Sequence, residues 1–132
     1  MQTVTLSMLL AIALGGAAGS TLRYLISIWL AKANEAFPLS TFAVNVVGAL
    51  LLGFLARVFN TPDSNPVWRA ALTVGFCGGF TTFSTFSAEF VALVQEGRAA
   101  RAVAYVVASV VSGVLAITVG LSIGQRLVTA RG

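Results

Sequence analysis

Long apolar runs separated by short clusters of polar and turn-forming residues organise this chain from end to end. The first run covers residues 4–31 and is interrupted by one charge, Arg23. The stretch 32–38, with Asn34, Glu35 and Pro38, predicts a helix stop. A second run, 39–59, holds only Asn45 and small hydroxyls as polar members before Arg57, and residues 60–66 (NTPDSNP) form the clearest turn. The third run begins near Val67 and Trp68 and reaches about Gln95. The fourth, 102–127, follows the basic turn at 97–101. A membrane-spanning helix needs about 20 apolar residues, so the pattern predicts an all-α integral membrane protein. Its organisation is a single four-helix unit over residues 1–132. The first run lacks the basic leading region of a secretory signal, which predicts a retained helix.

The third run is not a routine lipid-facing helix. Gly78 and Gly79 each lower helix propensity by about 1 kcal/mol. The five hydroxyls of Thr81, Thr82, Ser84, Thr85 and Ser87 compete for the backbone hydrogen bonds that follow. The prediction is a helix broken at the glycines, near mid-membrane, where protein or a water-filled cavity must satisfy the freed backbone groups.

Composition removes most other classes. Of 132 residues, 58% are hydrophobic and 9% charged, with mean hydropathy +0.94, against about 25% charged in a soluble domain. The net charge of +4 comes from arginines and a lysine at the ends of apolar runs, where interface anchors sit, so no nucleic-acid partner is expected. The absence of His removes Ser/His/Asp and Cys/His catalysis, no phosphate-binding loop or carboxylate pair is present, and no enzyme is expected.

Charge placement bears on topology. Four spans put both termini on one side with Arg57, Arg69, Arg126 and Arg131; the other side has Lys32, Arg98 and Arg101, with Arg23 as a fourth if counted. This balance points either to a weakly set orientation or to insertion both ways, which permits an antiparallel homodimer. Four helices, each about 10 Å across, close on themselves without an aqueous path, so transport calls for at least two copies. Gly15/Gly19, Gly75/Gly79 and Gly120/Gly124 are small-residue pairs that let helices approach.

Several polar or aromatic positions have two readings each. Phe83, Phe86 and Phe90 share one helical face and Thr82, Thr85 and Glu89 another. Those rings fill a core, or present their positive edges to an anion that binds weakly enough to pass. Asn45 is interhelical glue or part of a path. Tyr105, Ser109 and Ser112 recur at helical spacing as a packing stripe or as a hydroxyl track. Arg23 either snorkels to the interface or concentrates anions at a vestibule. Glu89 is a proton carrier in a coupled transporter, or an interfacial or ion-paired residue.

Residues 75–89 (GFCGGFTTFSTFSAE), with 19–24 (GSTLRY) and 41–48 (TFAVNVVG), resemble the CrcB/Fluc family of fluoride channels along essentially the whole chain. The resemblance implies an antiparallel dual-topology homodimer in the bacterial inner membrane, exporting cytoplasmic fluoride passively. It further implies a central structural Na+ held by the backbone carbonyls of Gly78 and Thr81 of both subunits. By the same likeness Phe83 and Phe86 match the phenylalanine box and Asn45 the pore amide. Thr41, Thr82, Ser84 and Thr85 match nearby polar positions, Arg23 the vestibule arginine, and Tyr105 and Ser109 the fourth-helix track. A serine of some relatives is replaced by Gly113, with Ser112 one place earlier.

Three function classes remain open to test. One is a passive fluoride channel. A second is a proton-coupled exporter like the small multidrug resistance proteins, whose first-helix glutamate this chain lacks. The third is a non-transporting assembly subunit.

Overall fold

The computed structural model describes residues 4–32 and 37–131. The expected helix stop at Asn34 and Glu35 lies outside the described residues. Helix α1 (Leu6–Trp29) starts where Thr5 Oγ1 accepts from Met8 N–H at 3.3 Å, a side-chain cap that satisfies one free donor of the first turn. Helix α2 (Leu39–Val58) follows Pro38. The turn after it ends on Asn65, whose Oδ1 accepts from Val67 N–H at 2.9 Å, with Pro66 in the first position of α3 (Pro66–Ala70). A proline is favoured there because its missing N–H would be unpaired anyway.

Beyond α3 the winding widens to a π-helix over Ala71–Cys77, returns to α over α4 (Gly78–Phe80), and breaks at Thr81 and Thr82. Helix α5 (Phe83–Gln95) resumes the span and α6 (Ala99–Arg131) returns through the bilayer. Between α5 and α6, Gly97 takes φ 75°, a conformation that favours glycine. Its N–H donates to Val94 O at 3.0 Å and Arg98 N–H to Leu93 O at 2.9 Å, which closes the helix end as a Schellman motif.

The break is displaced from the position expected. Gly78 is helical, at φ −65° and ψ −38°, and the chain leaves the helix only at Thr81, φ −83° and ψ 160°. The adjacent glycine serves a close approach instead. A Cβ on Gly79 would stand 3.0 Å from Gly16 Cα, and one on Gly75 would stand 2.6 Å from Ile12 O. The hydroxyl of Thr82 marks the break: Thr81 N–H still donates to Cys77 O at 3.0 Å, whereas Thr82 Oγ1 caps α5 by accepting from Thr85 N–H at 3.2 Å in place of a helical carbonyl.

Two helix pairs build the molecule. α1 lies on the π segment and α4 through Gly15, Gly16 and Gly19, and α2 lies on α6 through Gly53, Gly120 and Gly124. All three small-residue pairs read from the sequence are at such contacts. A small cluster of Leu93, Ala102 and Tyr105, flanked by Phe37, Phe42, Phe86 and Phe90, joins α5 to α6. α1, α2 and α6 are each long and apolar enough to cross a membrane, yet only 6% of the apolar window of α1 is buried. Such extensive exposed apolar surface requires lipid or another copy to cover it. The chain is a multi-pass membrane protein whose third crossing is broken.

Candidate functional site

The site is organised around one peptide group. At Thr82 the backbone is extended: its C=O accepts the first bond of α5 as that helix's cap, but its N–H has left the preceding ladder and needs a partner. Asn45, from the middle of α2, pairs with both groups: Thr82 N–H donates to Asn45 Oδ1 at 2.8 Å, and Asn45 Nδ2 donates to Thr82 O at 3.1 Å as a second donor. A primary amide is the side chain that matches a peptide in this paired fashion. Asn45 therefore joins α2 to the break, and its second N–H remains to face the adjoining cavity.

Cavities flank this peptide, and Thr82 lines both. The smaller, about 170 Å³, is bounded by Arg23, Ser27, Ser40, Thr41 and Thr85. The larger, about 330 Å³, has Asn45, Thr81, Phe83, Phe86 and Ser109 on its walls and no charged side chain among its lining residues. Arg23 does not extend outward as a simple anchor. Its Nε donates to Gly79 O at 3.1 Å, taking a carbonyl freed by the break and placing the guanidinium at the smaller cavity.

The carbonyls of Gly78 and Thr81 lose their helical donors in a definite way. In a continuous helix Gly78 O would accept from Thr82 N–H and Thr81 O from Thr85 N–H. Here the first donor goes to Asn45 and the second to Thr82 Oγ1. Gly78 is exposed, with nothing within 4 Å of a Cβ built on it. Oxygen donors of this kind suit a hard cation, and one subunit brings two of them.

The remaining predicted residues divide. Phe83 and Phe86 lie together, with ring centroids 5.8 Å apart and planes tilted by 38°. Phe86 also meets Tyr105 at 5.0 Å, while Phe83 is 78% exposed and stands open at the cavity mouth. Phe90 packs, like Phe86, against the cluster of Leu93, Ala102 and Tyr105. Ser84 is exposed, its Oγ 3.3 Å from Thr82 Oγ1. Along α6, Tyr105 is fully buried, Ser109 has a buried hydroxyl with no hydrogen-bond partner, and half-buried Ser112 lines neither cavity.

Glu89 has a role the sequence left open. Thr41 Oγ1 donates to its Oε1 at 2.8 Å and Tyr105 OH to its Oε2 at 2.7 Å. It makes no ion pair among the described residues; the ion pair recorded there joins Arg98 to Glu96. The carboxylate thus ties α2, α5 and α6 together one turn beyond the smaller cavity. Ser27 and Ser40 were not singled out from the sequence. Ser27 stands four residues after Arg23, on the same face of α1, and that spacing was the signal available. Ser40 had only its place beside Thr41.

Comparison with known proteins supports the same assignment of class. The family model described as "CrcB-like protein, Camphor Resistance (CrcB)" matches residues 10–121. A protein named fluoride-specific ion channel FluC from Rhizobium meliloti is 43% identical over 122 residues, covering 91% of this chain and 98% of its own. Its namesake in Saccharophagus degradans is 43% identical over 129 residues, 97% of each. That of Acidobacterium capsulatum is 40% identical over 119 residues, 89% of this chain and 95% of its own. These relatives bear the name of an ion channel rather than an enzyme. With the family match spanning most of its length, the chain belongs to the CrcB-like family.

Proposed function

We propose that this protein is a passive fluoride channel of the bacterial inner membrane, letting cytoplasmic fluoride leave down its electrochemical gradient. The observation that carries the reading is the larger cavity at the break. Its walls offer an amide, hydroxyls and aromatic rings but no charged side chain. A small anion that has shed water there meets hydrogen-bond donors and ring edges instead of a fixed cation. It is held weakly enough to leave again. The unpartnered Ser109 hydroxyl and the second N–H of Asn45 are donors placed for that purpose. Arg23 at the smaller cavity raises anion concentration at its entrance; Thr41 and Thr85 supply hydroxyls to that cavity, Thr82 to both, and Ser84 stands beside Thr82 with its Oγ 3.3 Å from Thr82 Oγ1. The names of the relatives supply fluoride as the ion.

The channel works as an antiparallel homodimer. Support comes from the balanced basic residues on the two sides, the exposed ring of Phe83, and the open backbone at Gly78. In that assembly the carbonyls of Gly78 and Thr81 from both copies hold a structural Na+. When bound, that ion supplies positive charge that offsets the cost of bringing an anion into the bilayer. Ser112 stays outside the path, since it lines neither cavity.

The test is fluoride efflux from liposomes containing the purified protein, with chloride loading and an imposed proton gradient as controls. Fluoride flux that persists without a proton gradient, with little chloride flux, is the expected result. Flux that requires the gradient and vanishes in Glu89→Gln would replace the channel by a coupled exporter. No flux under any condition would leave only an assembly role.

A further inference from the structure

The opposite end of the α2–α6 pair carries a polar device that the proposed ion path does not use. Arg57 lies in the last turn of α2, and its stem crosses α6 at Gly124. A Cβ on Gly124 would stand 2.9 Å from Arg57 Cβ and 3.3 Å from Arg57 Cγ. The next residue aims the guanidinium. Arg57 Nε donates to Gln125 Oε1. The amide of Gln125 is itself held in that sense, because its Nε2 donates to Thr129 Oγ1 at 3.1 Å while the Thr129 hydroxyl donates to Gln125 O at 3.0 Å. With Nε engaged, the terminal nitrogens of Arg57 remain as a fork.

No protein anion answers that fork. Arg57 has no carboxylate partner among the described residues, and neither α2 nor α6 contains Asp or Glu. The C-terminal dipole of α2 offsets part of the charge, and Gln125 is neutral. Among the described side chains this end of the bundle carries Arg57, Arg69 and Arg126 against Asp63. α2 has 20 residues, about the length that crosses the hydrocarbon, so Arg57 stands at headgroup depth. An oriented guanidinium fork is matched in shape and charge by a phosphate.

We propose that Arg57, seated on Gly124 and aimed by Gln125, binds the phosphate of an anionic phospholipid headgroup. The zwitterionic headgroup offers the same phosphate but brings its own cation to an end already rich in arginine, so the anionic lipid is preferred.

The experiment is native mass spectrometry of the purified protein in detergent, titrated with phosphatidylglycerol, with phosphatidylcholine and inorganic phosphate as separate arms. Phosphatidylglycerol should remain bound where phosphatidylcholine does not, and Arg57→Gln should weaken it about tenfold or more, as loss of charge-assisted hydrogen bonds implies. Arg69→Gln, which removes the same charge at the same end, should weaken it less. Gln125→Leu keeps the charge but loosens its aim and should lower affinity detectably, which provides a second reading if Arg57→Gln does not fold. Equal losses in the Arg57 and Arg69 variants would show a diffuse charge effect and overturn the site. Unchanged affinity in Gln125→Leu would overturn the aiming, and displacement of the lipid by equimolar inorganic phosphate would overturn the lipid as ligand.

Discussion

Replacing Asn45 tests the centre of the site most directly. In Asn45→Leu the branching is kept, but Thr82 N–H, paired at 2.8 Å in the native protein, loses its partner, and Thr82 O keeps only the donor of the first turn of α5. A buried backbone group left unpaired costs about 1–3 kcal/mol. For a chain of this size that is a fall in Tm of roughly five to ten degrees. Asn45→Asp separates the two bonds. The new carboxylate still accepts from Thr82 N–H but sets a second acceptor against Thr82 O, and it places negative charge beside the proposed anion path. Protonation restores a donor in the position of Nδ2. The sign follows: both Tm and fluoride flux of Asn45→Asp should rise as pH is lowered from about 8 to about 5, with the wild type measured alongside to remove any general effect of acid. The assays are thermal unfolding in detergent and liposome efflux. A wild-type Tm and flux in Asn45→Leu would refute the pairing as the support of the break. An Asn45→Asp variant whose flux is unchanged at every pH would remove Asn45 from the path.

Further expectations concern the rings, the glycines and the acid. Phe83→Ile and Phe86→Ile should each lower fluoride flux at least tenfold, as the loss of about 1.4 kcal/mol of ring-edge attraction would give. The proposed dimer should persist by size-exclusion chromatography, and wild-type flux in both would contradict the edge-on role. Gly79→Ala should destabilise the protein by about 1–3 kcal/mol, because its Cβ would press on the Gly16 backbone. Gly78→Ala, helical and open on that side, should leave subunit helicity by circular dichroism intact, so any loss of the proposed dimer in it reports on the surface between copies. Glu89→Gln should keep fluoride flux independent of a proton gradient while lowering Tm, since one acceptor to Thr41 or Tyr105 is lost.

Much of the fold was legible because the bilayer demands one long apolar run per crossing, and the runs at 4–31, 39–59 and 102–127 fall close to α1, α2 and α6. The break was legible as a competition between hydroxyls and the helical ladder. Its assignment to the glycines was not correct, because local propensity does not show that Gly75 and Gly79 are needed for contact with α1. The π winding over Ala71–Cys77 had no signal, since in a stretch apolar on every side one helical period cannot be told from another. Asn45 was visible as an isolated amide, but its partner, Thr82, lies 37 positions away and emerges only when α2 packs against the break. The same holds for Glu89. Its face with Thr82 and Thr85 could be read from spacing, whereas Thr41 and Tyr105 come from other helices.

The hydrogen bonds around the break also bear on how one short motif would serve the two proposed ions of opposite sign. Two of the four N–H donors released by unwinding are settled within the subunit: Thr82 N–H by Asn45 and Thr85 N–H by Thr82 Oγ1. Of the released carbonyls, Gly79 O takes Arg23, but Gly78 O and Thr81 O have lost the donors a helix would give them. Gly78 and Thr81 thus present acceptors away from their helical donors, and a cation suits acceptors. Unused donors, the second N–H of Asn45 and the hydroxyl of Ser109, gather instead at the larger cavity, and an anion suits donors. The proposed Na+ and the proposed fluoride are thus kept apart by which backbone partner each side chain takes. Substituting Asn45 should disturb the anion side first, whereas substituting Gly78 should disturb the junction between copies. A variant set in which these two effects could not be separated would count against that division.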